Sequence, residues 1–450
     1  MILSFQFLAV LAGTLTAVHA SLQIIPGGTW TASNGEHLNA HGAGVIRVNG
    51  TYYIIGEDKS QGSAFVNVNC YSSTDLVRWN YEGALLSRTG SGDLGPNRII
   101  ERPKVIYNDQ TKKYVLWMHV DSSNYGDAKV GVATGDTVCG KYSYIKSFRP
   151  LGFQSRDMGL FKDDDGSAYL LTEDRDNGVR INKLTADYTD VAGSTYLWKD
   201  HIEAPALVKL QGRYYMFGSH LTGWDANDNV YSTSTSLTSG WSAWQTFADA
   251  KSSTYNSQTT FVLDYGGGNV MYMGDRWVSK NLQASTYVWL PLSVSGTKVT
   301  MKNSVSWVPN LDTATAWANP PDETSYEGEK ATYSGGTKDV SCSGCSGGKA
   351  AGYVGGDNAG KVSFSGVRSD AGGWTTVRVK YNNGDSKPRY AQVTVNGGTP
   401  IKVAFEPNSG DPASSSLNIE LRAGSANTIM FEGVSGGWAP DIDRLMVPVR

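Results

Sequence analysis

Residues 158–174 read MGLFKDDDGSAYLLTED, two short apolar runs on either side of the polar turn at residues 164–166. This pattern predicts a β-hairpin. Four other stretches repeat it: VIRVNGTYYIIGE (45–57), RPKVIYNDQTKKYVLWMHV (102–120), APALVKLQGRYYMFGSH (204–220) and TTFVLDYGGGNVMYMGDRW (259–277). Equivalent positions lie 46 to 58 residues apart. Self-similarity at about this length is typical of four-stranded propeller blades, so the repeat predicts five blades.

The composition favours an all-β protein and excludes several classes of partner. Of the 450 residues, 40% are hydrophobic, 11% are aromatic and 52 are glycine, which suits many short strands joined by tight turns. The formal net charge is −3 and no basic run occurs, so nucleic acid and anionic membrane surfaces are not expected as partners. A neutral polymer is the better expectation.

Residues 1–20 are predicted to be a signal peptide. The stretch MILSFQFLAVLAGTLTAVHA is apolar and ends in small residues of the kind that signal peptidase accepts. No later run approaches the length of a membrane span. The protein is therefore expected to be secreted and soluble.

The four cysteines are an even number, as an oxidising compartment favours. Cys342 and Cys345 are predicted to form a local disulfide, whereas the sequence leaves the pairing of Cys70 with Cys139 open. Asn49 begins a glycosylation sequon, but the Asn-Gly pair at residues 49–50 is also explained by a type I′ hairpin turn.

The sequence predicts two domains joined by a linker. The propeller is expected over residues 21–310. Residues 311–325 are polar and contain two consecutive prolines, which indicates a linker. Residues 326–450 contain short β runs separated by Gly, Ser and Asn, which predicts a β-sandwich of jelly-roll type.

One polar residue stands at the start of each predicted inner strand: His41, Glu101, Asp157, Glu203 and Gln258. A propeller aims these strand starts at one central channel, so the side chains are expected to meet there. Carboxyls that share a partly dry pocket push their pKa values apart, which leaves one neutral acid beside ionised carboxylates. Glycoside hydrolysis needs that division. Taken singly, each carboxylate is better explained as a solvated strand end or as a partner of Arg102 or Arg156, and it is their recurrence at the same register that favours an active site.

At these positions the chain resembles glycoside hydrolase family 43, five-bladed propellers whose members usually invert the anomeric centre. The resemblance covers about residues 21–310 and rests on SRDMGLFKDDDGSAYL, HIEAPALVKLQGRYYMF and STDLVRW. It implies that Glu203 is the general acid and that Asp157 orients this acid and tunes its pKa. The family's usual base is an Asp in the first blade, where this chain has His41.

The absent Asp resembles the branch of the family that cleaves β-1,3-galactan. In that branch a Gln of the fifth blade, here Gln258, and a Glu of the second blade, here Glu101, line the reaction centre. An amide is a poor base, so Gln258 would have to position water or act as its imidic acid tautomer. Glu101 is chemically the easier proton acceptor, and both remain candidates. The resemblance also implies contacts to sugar hydroxyls by Glu57, Tyr125, Asn177 and Thr222.

Three ring side chains are further candidates for substrate contact. His41 stands beside glycines at a strand start, which favours a structural or substrate-contact role over proton transfer. Trp224 lies in a polar loop and is a candidate for stacking on a sugar, whereas Trp277 is more simply explained by packing.

The C-terminal segment resembles carbohydrate-binding module family 35, through YEGEKA at its start and GGWAPDIDRLMV at its end. Such modules hold a structural calcium ion, and the matching residues are Glu327, Glu329 and Asp443, whose oxygens are ligands that Ca²⁺ prefers. The alternative is three exposed carboxylates. Sugar binding is implied at one edge of the sandwich by five residues: Tyr353, Gly384, Asp385, Trp438 and Asp441.

Together these features predict a secreted, inverting exo-β-1,3-galactanase that hydrolyses the main chains of arabinogalactan and releases galactose and side-chain-bearing galacto-oligosaccharides. No cofactor is expected for catalysis, and a monomer is expected. Two alternatives stay open: an arabinofuranosidase or xylosidase of the same family, and a lectin-like propeller that binds galactan without cutting it. The sequence does not decide between exo and endo action or show whether β-1,6 side chains are tolerated.

Overall fold

A computed structural model describes residues 22–311 and 317–449 of the chain. Within these residues the protein is all-β with few helices, as predicted. The predicted signal peptide and residues 312–316 of the predicted linker lie outside the described residues. Among the described residues, no helix is long and apolar enough to cross a membrane.

The N-terminal two thirds of the chain form five four-stranded antiparallel sheets, preceded by the two-residue strand β1 (Thr29–Trp30). The strands of the five sheets are, in order, β2 (His41–Val48), β3 (Thr51–Glu57), β4 (Asn67–Ser73) and β5 (Asn80–Ser87); β6 (Ile99–Asn108), β7 (Lys113–Asp121), β8 (Lys129–Gly135) and β9 (Ser143–Phe148); β10 (Met158–Lys162), β11 (Ala168–Asp174), β12 (Gly178–Leu184) and β13 (Val191–Trp198); β14 (Ile202–Leu210), β15 (Arg213–His220), β16 (Val230–Ser234) and β17 (Gln245–Thr246); and β18 (Gln258–Gly266), β19 (Asn269–Arg276), β20 (Thr286–Ser295) and β21 (Lys298–Met301). Each predicted hairpin is therefore the first pair of strands of one sheet.

The first strands of the five sheets contact one another in cyclic order. β2 contacts β6, β6 contacts β10, β10 contacts β14, β14 contacts β18, and β18 contacts β2. The starts of these five strands are consequently neighbours in space, although they lie up to 217 positions apart in the chain.

Pairing is irregular near the start of several of these strands. The register shifts just after His41, Glu101, Glu203 and Thr259, and the next residue has a positive φ in three of these cases: Gly42 (55°), Arg102 (55°) and Ala204 (54°). Such bulges re-aim the neighbouring side chain. Because a left-handed backbone costs on the order of 1 kcal/mol or more at a residue other than glycine, surrounding contacts must hold it.

The remaining strands form two larger sheets. A seven-stranded sheet has the order β1-β30-β27-β32-β25-β24, with β22 also paired to β32, and a five-stranded sheet has the order β23-β26-β31-β28-β29. The bounds are β22 (Glu323–Glu327), β23 (Thr332–Ser334), β24 (Lys338–Ser341), β25 (Lys349–Gly352), β26 (Lys361–Ser369), β27 (Gly373–Asn382), β28 (Arg389–Val395), β29 (Ile401–Phe405), β30 (Ala413–Leu421), β31 (Gly424–Gly433) and β32 (Asp441–Pro448). One hydrophobic core draws Val379 and Leu445 from the first sheet and Phe364 and Phe431 from the second.

Helical segments are short and lie between strands. They are α1 (Ser253–Asn256) and the 3-10 turns Gly92–Leu94, Pro150–Gly152, Leu282–Ala284, Gly328–Lys330, Ser346–Gly348 and Val434–Gly436.

The N-terminal segment belongs to both halves of the molecule. Strand β1 pairs in parallel with β30 of the C-terminal sheet, and Thr29 Oγ1 lies 3.0 Å from the hydroxyl of Tyr381. Trp30 instead packs on the fifth four-stranded sheet, with its ring 4.7 Å from that of Trp289. The sequence analysis placed this segment wholly in the first domain, because IPGGTW has no alternation that would show which sheet it joins.

Both disulfides are formed. Cys342 pairs with Cys345 as predicted, and Cys70 pairs with Cys139, which settles the open assignment. The second pair joins β4 to the loop between β8 and β9. Asn49 and Gly50 have positive φ values of 50° and 83°, as the predicted hairpin turn requires. Glycosylation of Asn49 stays a prediction.

Candidate active site

The starts of four of the five first strands, β6, β10, β14 and β18, surround a cavity of about 200 Å³, together with Glu57 at the end of β3. We call it the acidic cavity, and it is lined by Glu57, Glu101, Arg102, Tyr125, Asp157, Arg175, Glu203, Gly223, Trp224, Gln258 and Trp277. All four predicted catalytic residues are in this set. The structure thus brings together four of the five residues that the repeat placed at equivalent positions, and the fifth, His41, is not in the lining.

Glu203, near the start of β14, is buried in the wall of the cavity. Burial, and then the nearby charges of Asp157 and Glu173, raise the pKa of Glu203 to about 9, against the opposing effect of Arg102 and Arg175. Its Oε2 has a cation only at 3.9 Å, the Arg175 guanidinium. Glu203 is therefore a neutral carboxylic acid at neutral pH, the state that a proton donor requires.

Arg102 connects two of the predicted catalytic residues. One guanidinium nitrogen lies 2.8 Å from Asp157 Oδ2 and donates to Gln258 Oε1 at 2.6 Å, and the other donates to the carbonyl oxygen of Thr259. Asp157 Oδ2 also accepts a hydrogen bond from the backbone N–H of Ala204 at 3.1 Å. Asp157 is therefore fixed beside Glu203 by a cation and by the bulge that carries the acid.

The amide of Gln258 is held at both ends. Its Nε2 donates to Glu203 Oε1 at 2.8 Å and to Ser219 Oγ at 3.1 Å, while its Oε1 accepts from Arg102 and, at 2.9 Å, from Trp277 Nε1. Because the oxygen faces only donors in these contacts, a proton on that oxygen would have no acceptor. The arrangement fits an ordinary amide and opposes the imidic acid tautomer.

Glu101 is buried and surrounded by donors. Its Oε1 accepts from Lys59 Nζ at 3.2 Å and from the hydroxyl of Tyr125 at 3.0 Å, and its Oε2 lies 3.4 Å from His119 Nδ1. Although burial alone would raise it, the charges and hydrogen bonds of Lys59 and His119 hold the pKa of Glu101 well below its usual range. Glu101 is therefore an ionised carboxylate.

Ligand atoms of Glu101, His119 and Asp157 lie within 4.8 Å of one another, a spacing that suits a metal ion. His119 is itself a cation, since hydrogen bonds to Asp121 and Glu101 raise its pKa to about 9 even though burial lowers it. A metal ion would have to displace that proton and compete with Lys59 for Glu101 and with Arg102 for Asp157.

Carboxylates of neighbouring sheets hold the strained strand starts in place. The backbone N–H of Gly42 donates to Asp275, that of Arg102 donates to Glu57, and that of Ala204 donates to Asp157. A Cβ at Gly42 would lie 1.9 Å from Glu57 Oε1, so only glycine is accommodated at that bulge. The same interaction thus orients site residues in three of the five sheets.

The predicted substrate contacts divide into two groups. Glu57, Tyr125 and Trp224 line the acidic cavity, as does Trp277, whose ring lies edge-on to Trp224 at 4.8 Å. Three others are not in the cavity lining: His41, Asn177 and Thr222.

Those three side chains have local partners instead. His41 is fully buried, contacts Asp275 at 3.0 Å and stacks on Tyr287, so the structural role suggested by its strand-start position agrees with its contacts. The amide of Asn177 donates to Asp174, and the hydroxyl of Thr222 donates to the carbonyl oxygen of Asp225.

A second ring of polar residues surrounds the predicted site residues, and sequence reasoning named only one of its members, Glu57. Each predicted site residue lies opposite or beside a polar residue at the end of the second strand of its hairpin: Glu57, His119, Glu173, Ser219 and Asp275. The antiparallel register of each hairpin is the signal that could have found them. Lys59 and Arg175 follow two of these strand ends, and no repeat marks them.

The predicted sugar-binding edge of the C-terminal sheets is assembled. Tyr353 and Trp438 are each nearly half exposed, and their rings lie edge-on at 6.1 Å. Arg389 joins them to the neighbouring loop, because it donates to the carbonyl oxygen of Ala439 and forms an ion pair of 2.7 Å with Asp385. Gly384 is exposed in the same loop, and Asp441 begins the adjoining strand β32.

The three predicted calcium ligands lie at the junction of β22 and β32. Asp443 is 1% exposed, and burial raises its pKa, with Glu327 adding to the effect. One carboxylate oxygen each of Glu327 and Glu329 is buried with no hydrogen-bond partner among the described residues. The disulfide loop covers the cluster, since Ser346 N–H donates to Asp443. Buried oxygens without donors are what a Ca²⁺ site needs, but these three carboxylates do not bring one oxygen each within 4.8 Å of one another.

A family model described as "Glycosyl hydrolases family 43" matches residues 39–275, more than half of the chain and all five inner strand starts. The chain belongs to this family. It is therefore a glycoside hydrolase. A second model, described as the CBM13 domain of alpha-galactosidase, matches residues 361–447. The expected resemblance to module family 35 is thus not confirmed.

Solved structures extend the similarity beyond the family 43 domain. The exo-β-1,3-galactanase of Phanerochaete chrysosporium, solved with galactose, is 39% identical, with a TM-score of 0.67, over 94% of this chain and 100% of that one. The exo-β-1,3-galactanase of Clostridium thermocellum is 26% identical, with a TM-score of 0.64, over 95% of this chain and 100% of that one.

Among curated proteins, a xylan 1,3-β-xylosidase from a Vibrio species is 26% identical over 191 residues, which are 38% of this chain. The match spans about a third (34%) of that relative's length.

Proposed function

We propose that the protein is a secreted, inverting exo-β-1,3-galactanase that acts on the β-1,3-galactan main chains of arabinogalactan. The observation that carries the proposal is the replacement of the usual first-blade Asp by the buried His41, together with Gln258 held against a neutral Glu203. The similarity to two exo-β-1,3-galactanases over almost the whole chain supports the same substrate.

In the proposed reaction Glu203 gives its proton to the departing glycosidic oxygen. Asp157 raises the pKa of Glu203 by its charge and stays in place through Arg102 and Ala204 N–H. Water attacks the opposite face of the sugar, which inverts the anomeric centre. Inversion requires the acid and the water-activating group to stand roughly 6.5 to 9.5 Å apart.

That spacing opposes Gln258 as the proton acceptor, which leaves Glu101 as the candidate. Gln258 touches Glu203 directly at 2.8 Å, which leaves no room for a sugar and a water between the two. We therefore infer that Gln258 orients the acid and that the ionised Glu101 accepts the proton. Lys59 keeps Glu101 charged but also weakens it as a base. Because the Gln side chain cannot accept the proton, replacing Glu101 by Gln should cost about 10²- to 10⁴-fold in kcat.

The finer architecture also belongs to the proposal. We infer that the five four-stranded sheets are the blades of a propeller, because their first strands contact one another in cyclic order. The two C-terminal sheets are inferred to be a β-sandwich module that binds galactan through the edge around Trp438 and holds Ca²⁺ at Glu327, Glu329 and Asp443. Secretion and a monomeric state are part of the same proposal.

Product analysis on linear β-1,3-galactan tests substrate, mode and stereochemistry together. We expect galactose as the first product, and NMR of the freshly released sugar should show the α anomer before mutarotation. Release of arabinose or xylose from pure polymers, with no galactose from galactan, would show a different member of the family. A first-formed β anomer would contradict the inverting mechanism.

The variant Glu203→Gln separates an enzyme from a lectin. An enzyme should lose at least about 10³-fold in kcat, since the proton donor is gone, while it still binds galactotriose. Glu420→Gln, an exposed carboxylate of the C-terminal sheet, is the matched control. Wild-type protein that binds galactotriose but releases no sugar would support the lectin.

A further inference from the structure

A groove larger than the acidic cavity lies between the first four-stranded sheet and the C-terminal sheets. Its volume is about 610 Å³, within the range of ligand pockets, which often occur where domains meet. We call it the interdomain groove. It is lined by residues 31–35, Thr74, Asp75, 78–80, Trp374, 400–403 and 416–418, none of which lines the acidic cavity.

An exposed indole dominates one wall of the groove. Trp374, near the start of β27, is 42% exposed. The guanidinium of Arg78 lies 4.4 Å from its ring centroid and forms an ion pair of 2.7 Å with Asp75. Arg78, in the loop between β4 and β5, thus covers part of one face of the ring, and 42% of the Trp374 surface stays exposed. A large exposed aromatic ring offers an apolar platform beside polar groups.

The polar groups of the groove carry little unpaired charge. Arg78 is paired with Asp75, and Lys402 forms an ion pair with Glu36. The remaining polar side chains include three amides: Asn34, Asn80 and Asn418. The Oδ1 of Asn418 accepts a hydrogen bond from Thr376, which fixes which end of that amide donates. Such a surface suits a ligand that is neutral and rich in hydroxyl groups.

The two walls are joined to each other through residues 31–36. Ser33 N–H donates to the carbonyl oxygen of Trp79 in the first sheet, at 2.9 Å. On the opposite wall, the hydroxyl of Thr31 accepts from Ala404 N–H at 3.0 Å. The groove therefore has walls fixed by hydrogen bonds, and a ligand would not have to order them first.

We propose that the interdomain groove binds a neutral oligosaccharide segment of the substrate polysaccharide. The apolar face of a pyranose ring packs on Trp374, and the amides of Asn80 and Asn418 bond its hydroxyls. The proposal deepens the proposed function, because the choice of a galactan rests on it. An anionic ligand would need a cation that is not already paired, and the groove's two lining cations both have carboxylate partners.

Binding stoichiometry tests the groove directly. In the background Glu203→Gln/Trp438→Ala, which cannot turn over and lacks the predicted edge platform, calorimetric titration with β-1,3-galactotetraose should show two sites. Adding Trp374→Ala should remove one site or weaken it about tenfold, as loss of a central aromatic contact does. Trp374→Phe keeps an aromatic ring and should restore two sites. Equal stoichiometry and affinity with and without Trp374 would overturn the proposal.

Two further arms keep the result interpretable. If Trp374→Ala lowers the unfolding temperature, Asn418→Ala is titrated in its place, and it should weaken the same site. Tighter binding of an anionic oligogalacturonide than of galactotetraose would overturn the neutral-ligand assignment. Galactose release by the wild type is measured in parallel: its absence contradicts the proposed function, whereas a site lost with Trp374 still supports the groove.

Discussion

The acidic cavity and the carboxylate cluster of the C-terminal sheets balance their charges in different ways. In the cavity, Asp157 has Arg102 at 2.8 Å and Glu101 has Lys59 at 3.2 Å. In the C-terminal cluster, buried oxygens of Glu327 and Glu329 have no hydrogen-bond donor among the described residues. The first region pairs its carboxylates with cations of the chain, whereas in the second Asp443 has Arg444 at 3.6 Å and the two glutamate oxygens have no donor. The proposed Ca²⁺ would supply that missing positive charge.

Glu203 is the carboxyl of the cavity that lacks a close cation. The guanidinium of Arg175 comes no nearer than 3.9 Å to the Glu203 carboxyl, whose pKa is raised to about 9. A buried carboxyl without a partner keeps its proton, whereas its paired neighbours lose theirs. Which carboxyl keeps its proton therefore depends more on the positions of Lys59, Arg102 and Arg175 than on the carboxyls themselves.

Removing the central cation of the cavity should have the largest effect. In Arg102→Met, Asp157 loses its ion pair and Gln258 loses a donor, so the acid is no longer oriented. We expect kcat/KM on β-1,3-galactan to fall by about 10²- to 10⁴-fold. Arg98→Met, which breaks the ion pair with Asp127 outside the cavity lining, is the matched control. Activity of both variants within about twofold of wild type would remove Arg102 from the mechanism.

Removing the external cation should act on stability instead of chemistry. At a free Ca²⁺ concentration about a hundred times its Kd, binding would stabilise the folded protein by about 2.7 kcal/mol. Calorimetry should therefore show a lower unfolding temperature in EGTA than in Ca²⁺. Glu327→Gln/Glu329→Gln should not respond to Ca²⁺. An equal response in wild type and variant would place the ion elsewhere.

The repeat predicted the hairpins and the grouping of four polar residues around one cavity because it is a local signal. Hairpin alternation and turn residues set the strands, and equivalence of the strand starts then brought Glu101, Asp157, Glu203 and Gln258 together without any knowledge of contacts. The disulfide Cys342–Cys345 was equally local. The all-β class is confirmed by the strands of the structure, and family 43 membership by the family model that matches residues 39–275.

The rest depends on pairings that no single stretch of sequence contains. Lys59 and Arg175 act across sheets, and strand β1 joins a sheet whose other strands begin almost 300 residues later. Asn177 and Thr222 were expected at the cavity, yet their own loops supply their hydrogen-bond partners. Short polar side chains at loop tips bond locally in preference to reaching inward.

Glu406 is a buried carboxyl outside both the acidic cavity and the C-terminal cluster. Glu406, 3% exposed at the domain junction, has its pKa raised to about 8 by burial and then by Glu36, whose own partners are Lys402 and Tyr390. Since its folded pKa exceeds the unfolded value near 4.5, ionisation favours the unfolded chain as pH rises from 4.5 to 8. Stability should fall across that window.

In Glu406→Gln this part of the pH dependence should disappear. Thermal unfolding at pH 5 and pH 8 measures it, at about 2–4 °C for each kcal/mol. Glu420→Gln, an exposed carboxylate of the same sheets, should behave as wild type. If the unfolding temperature falls by the same amount in the wild type and in Glu406→Gln between the two pH values, Glu406 does not destabilise the folded protein when it ionises.

The smallest effect is expected from replacing Arg175, the half-exposed cation 3.9 Å from Glu203. Arg175 lowers the pKa of Glu203 by its charge, so Arg175→Gln should raise that pKa further. The acid then keeps its proton to higher pH, and the alkaline limb of kcat/KM should move upward by less than about one pH unit, because solvent screens the pair. Arg175→Lys retains the charge and should leave the limb near its wild-type position. If the limb moves equally in both variants, the shape of the Arg175 side chain, and not its charge, influences the pKa of Glu203. A limb that moves in neither would leave burial and Asp157 as the causes of the raised pKa.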